Sequence, residues 1–164
     1  MSRRPAVQVD TSDLRRVAQV LRSVEDGKEL RKQLIKDLKS ATEPAVAEAR
    51  SAVMAIPARG TAQPALRATV ARKIGTQVKL SGRSAGVSVR ARKTPNLRGF
   101  KNAPKKLQQR GGWRHPVYGR GWTTQQGRAD WFDEPMQGAR EPAIRAVKET
   151  LNNFAQDLAR RLGR

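Results

Sequence analysis

A central stretch without any acidic residue constrains this chain more than any other feature. No Asp or Glu stands between Glu48 and Asp130, whereas residues 49–129 contain 18 Lys or Arg. Residues 1–48 contain 10 basic and 8 acidic side chains, and residues 130–164 contain 6 of each, so nearly all of the net charge of +20 is central. Because like charges repel, such a stretch repels itself unless an anion screens it.

Length and composition limit both the core and the chemistry. The 164 residues fit a single domain, but only 37% are apolar and 4% aromatic, so a monomer buries little and oligomerisation is favoured. With no Cys and one His, the chain lacks the residues for disulfides, thiolate chemistry or a multi-histidine metal site. We therefore expect no metal and no cofactor.

The charge and the hydropathy pattern also indicate where the protein works. No run approaches the ~18 apolar residues of a membrane span, and residues 1–10 lack the apolar block of a signal peptide. We therefore expect a cytoplasmic protein that does not enter a membrane. A charge of +20 implies an anionic neighbour, which the charge alone leaves open as nucleic acid, an acidic protein surface or anionic lipid.

The first third of the chain has helical spacing. Apolar residues three and four apart after Ser12 predict one amphipathic helix, which Gly27 interrupts. A second helical pattern continues to Ile56, with Pro44 inside it. Because proline removes a backbone donor, we expect a kink or a break near residues 40–43.

The middle of the chain combines a short helix with strands. Residues 61–74 have helical spacing, whereas residues 76–80 and 87–91 alternate between apolar and polar and predict a hairpin with Gly82 in its turn. Residues 122–125 alternate in the same way. The sequence therefore predicts a small antiparallel sheet of about three to four strands.

The remaining segments complete a single α+β domain spanning 1–164. Residues 93–112, rich in Pro, Gly and basic side chains, predict a basic loop or arm with a short helix near its end. Periodic apolar residues then predict one long C-terminal helix, opened by the acids at 130–134 and ended by Gly163. Pro142 leaves a later helix start open. The predicted fold class is α+β, with long N-terminal helices, a central antiparallel sheet and this long C-terminal helix.

Residues 114–119, Arg-His-Pro-Val-Tyr-Gly, form the most distinctive motif of the chain. Pro116 forces His115 toward an extended conformation, and the aromatic rings on either side supply rigid contact area. A packed loop-to-strand corner and a contact surface both fit this pattern. No Ser, Cys or carboxylate stands near His115 in a nucleophile–base arrangement, so we expect no enzyme. The predicted subunit or partner interface consists of Trp113, Arg114, His115, Pro116, Tyr118 and Trp122.

Two further groups have ordinary structural explanations. The acids at 130–134 stand where a helix begins, and there they complement the helix dipole. The glycine pairs at 111–112 and 119–121 lack the strand-to-helix context and the Lys-Ser/Thr partner of a phosphate loop. Neither group predicts catalysis or nucleotide binding.

The central cations predict contact with a polyanion. They are spread over the hairpin and the basic loop rather than along one recognition helix, which favours phosphate-backbone contact without sequence preference. The set expected to face DNA or an acidic partner ring is Lys79, Arg83, Arg90, Arg92, Lys93, Lys101, Lys105 and Lys106.

The order of these features resembles a family of small phage proteins. The resemblance rests on the amphipathic N-terminal half, Ala55-Ile56-Pro57, the hairpin, the 114–119 motif, Trp122, Gln125, Trp131 and the closing helix. These features resemble the tail-component family of long-tailed, lambdoid-type bacteriophages and their actinobacterial relatives, the neck and tail-completion proteins. The resemblance covers about residues 14–162, and its most specific part is the Arg-His-Pro-aliphatic-aromatic-Gly run followed by a Trp-containing strand.

This resemblance implies a non-enzymatic structural protein of the siphovirus virion. The protein would be a neck, tail-completion or tail-terminator-like subunit at the head–tail junction, joining the tail tube to the head connector. The resemblance implies a hexameric homo-oligomeric ring built by heterologous contacts, with tail-tube and head-closure proteins as partners and packaged DNA as a further contact. Its location would be the virion, and the host cytoplasm during assembly. The alternative, from charge alone, is a sequence-nonspecific nucleic-acid-binding protein.

Overall fold

A computed structural model describes residues 11–57, 65–97, 100–117 and 121–163. In chain order the elements are α1 (Thr11–Ser23), α2 (Gly27–Ala41), α3 (Glu43–Met54), α4 (Ala65–Arg72), β1 (Ile74–Lys79), β2 (Gly86–Ala91), α5 (Ala103–Leu107), β3 (Trp113–Val117), β4 (Gly121–Gln125) and α6 (Asp133–Leu162). The predicted α+β class is confirmed, with its N-terminal helices and its long C-terminal helix. No helix in this described part of the chain has the length and hydropathy needed to span a membrane.

The chain divides into two compact units, each built from separate segments. Unit 1 consists of Met1–Ala45, Thr76–Arg90 and Ala139–Arg164, and unit 2 of Val46–Gly75 and Ala91–Gly138. Unit 1 contains 19 basic and 10 acidic residues, whereas unit 2 contains 15 basic and only 4 acidic ones. Unit 2 is therefore the more one-sidedly basic of the two.

The core of unit 1 is a helical layer with a short strand pair. Residues three and four apart on α1, α2 and α6 place their apolar side chains on one face of each helix, as the sequence pattern predicts. The buried cluster consists of Leu14, Val17, Ala18, Leu21, Leu34, Leu38, Leu80, Val87, Val147, Leu151, Phe154 and Leu158. Burying each large side chain contributes about 1.5–3 kcal/mol.

The predicted break near Pro44 lies at Thr42, between α2 and α3. Pro44 occupies the first turn of α3, where its missing N–H leaves no hydrogen bond unmade. The buried Thr42 hydroxyl lies 3.1 Å from Leu38 O and 3.0 Å from Lys39 O, which caps the end of α2. It also lies 2.7 Å from the Thr76 hydroxyl, so this buried pair ties the helix end to β1.

Unit 2 has a smaller core around Trp131, whose ring is 1% exposed. The indole Nε1–H donates to Pro104 O at 3.2 Å, and the backbone N–H of Arg128 donates to Leu107 O at 2.8 Å. Both acceptors belong to α5, in which Ala103, Pro104 and Leu107 are buried. The segment predicted as a basic loop thus includes an anchored helix.

The strands are arranged differently from the expected sheet of three to four strands. In the described residues four strands form two separate two-stranded ribbons, β1 with β2 and β3 with β4. The reason is that residues 113–117, which the sequence allows as a loop-to-strand corner, form β3 and pair with the predicted strand locally. The short helix expected over 61–74 is α4, and residues 61–64 lie outside the described residues.

Helix α6 begins at Asp133 and therefore at the earlier of its two expected starts. Asp133 and Glu134 lie in its first turn, where carboxylates complement the partial positive charge of a helix N-terminus. Pro142 lies inside the helix and removes the backbone donor that would reach Gly138 O. Gly163 N donates to Ala159 O at 2.9 Å, as expected for a glycine after a helix end.

Candidate interaction surface on the β3–β4 ribbon

Antiparallel pairing gives the β3–β4 ribbon of unit 2 two chemically different faces. The pairs are Trp113 with Gln125, Arg114 with Thr124, His115 with Thr123, Pro116 with Trp122 and Val117 with Gly121. Because side chains alternate along a strand, one face, called the inner face, carries Trp113, His115, Thr123 and Gln125, which are all half-buried. The opposite face, called the outer face, carries Arg114, Pro116, Trp122 and Thr124, which are all exposed.

The inner face packs on Phe100. The Phe100 ring lies edge-on to His115, with centroids 4.7 Å apart, and edge-on to Trp113, with centroids 5.9 Å apart. The Lys106 ammonium lies 6.0 Å from the centroid of Phe100 and 5.9 Å from that of Trp113, within cation–π range. His115 of the 114–119 motif, together with the preceding Trp113, is therefore committed to packing within unit 2.

The single histidine has a structural environment. His115 Nδ1 lies 3.1 Å from Pro116 O, so the Nδ1–H tautomer donates to that carbonyl. His115 Nε2 and Trp113 Nε1 are buried and have no hydrogen-bond partner within the described residues. The His115 ring has Thr123 as its cross-strand partner, and its described contacts are with the Phe100 ring and the Pro116 carbonyl.

The outer face presents an aromatic ring and a cation together. Trp122 is 64% exposed, the highest value among the exposed large apolar side chains of the described residues. The Arg114 guanidinium carbon lies 5.8 Å from the Trp122 ring centroid, a contact worth about 0.5–1 kcal/mol at an exposed site. Trp and Arg are the residue types that most often dominate binding energy at protein interfaces. Tyr118, also expected at this interface, lies outside the described residues.

A glycine closes the ribbon at its open end. Gly112 has a φ of 71°, and a Cβ built on it would lie 1.8 Å from Gln125 O. Only a residue without a side chain allows the chain entering β3 to approach the end of β4 this closely. The register of both faces therefore depends on Gly112.

An open cleft of about 610 Å³ lies beside the same end of the ribbon. Among the described residues, its lining consists of Pro57, Arg110, Gly111, Thr124, Gln126, Gly127, Arg128 and Ala129, none of which carries a carboxylate. The Arg128 guanidinium lies 2.6 Å from the Glu134 carboxylate, a pair in which both side chains are at least half exposed. The predicted cation set does not include Arg110 or Arg128. The glycines next to them, in Arg110-Gly111-Gly112 and Gly127-Arg128, are typical of turns, and such a turn places a cation beside backbone that no side chain covers.

The eight cations of the predicted set are divided between the two units. Unit 1 contains Lys79, Arg83 and Arg90, and unit 2 contains Arg92, Lys93, Lys101, Lys105 and Lys106. All are exposed except Lys106, which is half-buried against its aromatic neighbours. Lys79 Nζ donates to Ser84 Oγ at 3.1 Å, and none of the eight lies within 4 Å of a carboxylate among the described residues.

Arg67, which is outside the predicted cation set, has a structural role. Arg67 of α4 is 3% exposed, and its guanidinium donates to Pro57 O. Burial lowers the pKa of Arg67 because desolvation disfavours the charged form. The described residues contain no group of three or more His, Asp or Glu side chains placed to hold a metal ion.

Comparisons of the chain with protein-family models, with curated proteins and with solved structures found no match. The class of protein is therefore defined by the fold and the surface: a basic α+β protein in which a two-stranded ribbon exposes a Trp–Arg pair beside a cationic cleft. Any narrower identity depends on how that surface is used.

Proposed function

We propose that this protein is a structural subunit of the head–tail junction of a long-tailed bacteriophage. In this proposal it is a neck, tail-completion or tail-terminator-like component that forms a homo-oligomeric ring of about six copies between the tail tube and the head connector. The sequence resemblance centred on residues 114–119 motivates the proposal. The exposed Trp122–Arg114 pair on the outer face is the single structural observation that carries it.

The chemistry of the outer face is that of a contact surface. An indole side chain that is mostly exposed to water lacks the hydrophobic stabilisation that burial gives. The exposed Trp122 side chain therefore favours a binding partner that covers it. The neighbouring Pro116 adds rigid apolar area, and Arg114 supplies a forked donor for a carbonyl or carboxylate across the contact. A heterologous contact through this face, repeated around an axis, generates a closed ring.

The charge of the subunit is compatible with a ring only if an anion is present. Copies that each carry +20 repel one another unless their cations meet packaged DNA or an acidic neighbouring ring. Seven of the eight cations of the predicted set are exposed, and among the described residues none of the eight has a carboxylate partner. Their positive charge is thus available to such an anion.

Native mass spectrometry of matched variants tests the proposal. We expect the wild-type protein to form rings, alone or with its neck partners, and Trp122→Ala to remain monomeric with its free energy of unfolding lowered by no more than about 1 kcal/mol, the size of the lost cation–π contact. Leu162→Ala is the control, because Leu162 is 56% exposed at the end of α6 and lies far along the chain from the ribbon. A wild-type protein that stays monomeric with every partner and is absent from purified particles refutes the proposal.

Sequence-nonspecific nucleic-acid binding is a second candidate, favoured by the same unpaired cations. It requires the isolated subunit to bind duplex DNA with an affinity that falls steeply with salt as counterions are recaptured. Fluorescence anisotropy with two unrelated duplexes distinguishes it from the first candidate, since equal binding without ring formation supports it. Failure to bind either duplex at about 50 mM salt excludes it.

A further inference from the structure

The cleft beside the β3–β4 ribbon has the composition of an anion site. Two arginines, Arg110 and Arg128, lie in a lining of about eight residues that otherwise offers a hydroxyl, an amide and two glycine backbones. Both arginines are exposed. The guanidinium fork matches the oxygens of a phosphate or a carboxylate. Arg128 is paired with Glu134, whereas no ion pair is described for Arg110.

The cleft is continuous with the outer face of the ribbon. Thr124 belongs to both, because it lines the cleft and lies opposite Arg114 in the strand register. Cross-strand partners have Cβ atoms about 4.5–5.5 Å apart, so the Arg114 side chain starts next to the cleft rim. Two arginines therefore line the cleft and a third is the cross-strand partner of one of its residues, which suits an extended anion better than a single small ion.

The charges exclude a second copy of the ribbon as the occupant. Docking the outer face of another copy here would bring its Arg114 against Arg110 and Arg128, and these like charges would repel. An extended polyanion has the opposite effect. Unit 2 also exposes the cations of Arg72, Lys73, Arg92, Lys93, Lys101 and Lys105, which add to the positive field that attracts a phosphate backbone.

We propose that this cleft is a phosphate-binding subsite for the backbone of a nucleic acid, with Arg110 and Arg128 each contacting a phosphate. The inference rests on the DNA contact in the proposed function and assigns that contact to specific residues. Glu134 modulates the site, because its carboxylate holds Arg128 at 2.6 Å and competes with an incoming phosphate for the same guanidinium. The remaining N–H groups of Arg128 stay available, since a guanidinium carries five.

The loss-of-binding test uses the full chain and a charge-matched control. Removing one arginine–phosphate interaction lowers affinity about eightfold at ~0.1 M salt, because log K falls with log salt by about 0.9 for each phosphate neutralised. We therefore expect Arg110→Gln with Arg128→Gln to weaken binding of a 20-bp duplex about 60-fold, and to reduce the salt slope by about two. Arg22→Gln with Arg31→Gln removes the same charge from exposed positions of α1 and α2 and should leave the slope unchanged.

A gain-of-binding test moves the affinity in the opposite direction. Glu134→Gln removes the competing carboxylate, and we expect affinity to rise about two- to fourfold at low salt. Glu149→Gln, an exposed position on α6 in unit 1, adds the same net charge outside the unit that contains the cleft and is the control. A rise that is equal in both variants counts against the cleft.

The outcomes separate this inference from the proposed function. Equally weakened binding in the two double variants overturns the cleft assignment and leaves a diffuse DNA contact standing. Wild-type binding to poly-glutamate but to no oligonucleotide overturns the nucleic-acid assignment and supports an acidic protein segment in the cleft. Absence of all oligonucleotide binding overturns both DNA contacts, whereas ring formation is measured separately by native mass spectrometry.

Discussion

Replacing Gly112 by alanine should break the pairing of β3 with β4 at the end of the ribbon where β3 begins. The added Cβ would lie 1.8 Å from Gln125 O and 2.9 Å from the carbonyl carbon of the same residue. Both atoms belong to backbone, so no side-chain rotation relieves the collision. The end of β4 must move by more than an ångström, and the pairing of Trp113 with Gln125 is broken.

The loss in free energy of unfolding that Gly112→Ala causes has two separable contributions. Gly112 has a φ of 71°, a left-handed conformation that costs an alanine about 1–2 kcal/mol. Breaking two ladder hydrogen bonds and leaving their groups poorly solvated adds about 1–3 kcal/mol. We therefore expect Gly112→Ala to lower the free energy of unfolding of unit 2 by about 2–5 kcal/mol, which is outside the range of ordinary surface substitutions.

Two neighbouring glycines provide matched controls. Gly121 has nearly the same φ, 72°, but a Cβ there meets no atom within 4 Å, so Gly121→Ala should cost only the backbone contribution of about 1–2 kcal/mol. Gly111 has neither a positive φ nor a neighbour within 4 Å. We expect Gly111→Ala to leave stability unchanged or to raise it by up to about 1 kcal/mol.

Urea denaturation followed by tryptophan fluorescence measures this series directly. All three tryptophans, Trp113, Trp122 and Trp131, belong to unit 2, so their emission reports that unit. The order of stability should be Gly111→Ala, then Gly121→Ala, then Gly112→Ala, with m-values unchanged for the first two. Equal midpoints for the Gly112 and Gly121 variants would show that the close approach to Gln125 does not hold the ribbon together, and the reasoning would fail.

Two further predictions concern buried hydrogen bonds. Thr42→Val and Thr76→Val should each cost about 1–2 kcal/mol, and a double-mutant cycle should give a coupling of about 0.5–1.5 kcal/mol because the hydroxyls lie 2.7 Å apart; additive losses in urea denaturation would contradict a direct bond. Trp131→Phe should cost about 2–4 kcal/mol, since it leaves Pro104 O without its donor and opens a cavity around a ring that is 1% exposed. A thermal melt within about 1 °C of wild type would refute that assignment.

The helices could be predicted from sequence because their signals are local. Leu34 and Leu38 are one turn apart, and burial of such pairs is a property of the helix period itself. The break at Thr42 follows equally from one residue, since Pro44 cannot continue a hydrogen-bonded helix but fits the first turn of a new one. These elements need no knowledge of distant partners.

The ribbons and the cleft depend on partners that the sequence does not reveal. Proline within a run argues against a strand, yet Pro116 is accommodated in β3 on a two-stranded ribbon, where one edge is free of ladder bonds. Linear charge density also does not tell which segments fold together: Lys79 and Lys93 lie in one acid-free run but belong to different units. Arg110 and Arg128, 18 positions apart, line one cleft where the segment after β4 returns to α5, to which Arg128 N and Trp131 Nε1 donate hydrogen bonds.

The interleaved order of the segments affects how the protein can be synthesised. Unit 1 is built from three separate segments of the chain. The last of them, Ala139–Arg164, supplies the α6 side chains of the core cluster that also contains Leu14 and Leu34. On a ribosome that adds about 5–20 residues per second, the apolar faces of α1 and α2 wait roughly 6–24 s for this covering. The nascent chain therefore exposes the apolar faces of these helices, to which chaperones bind, until α6 has been synthesised. A chain truncated before residue 139 should not fold into a stable unit 1.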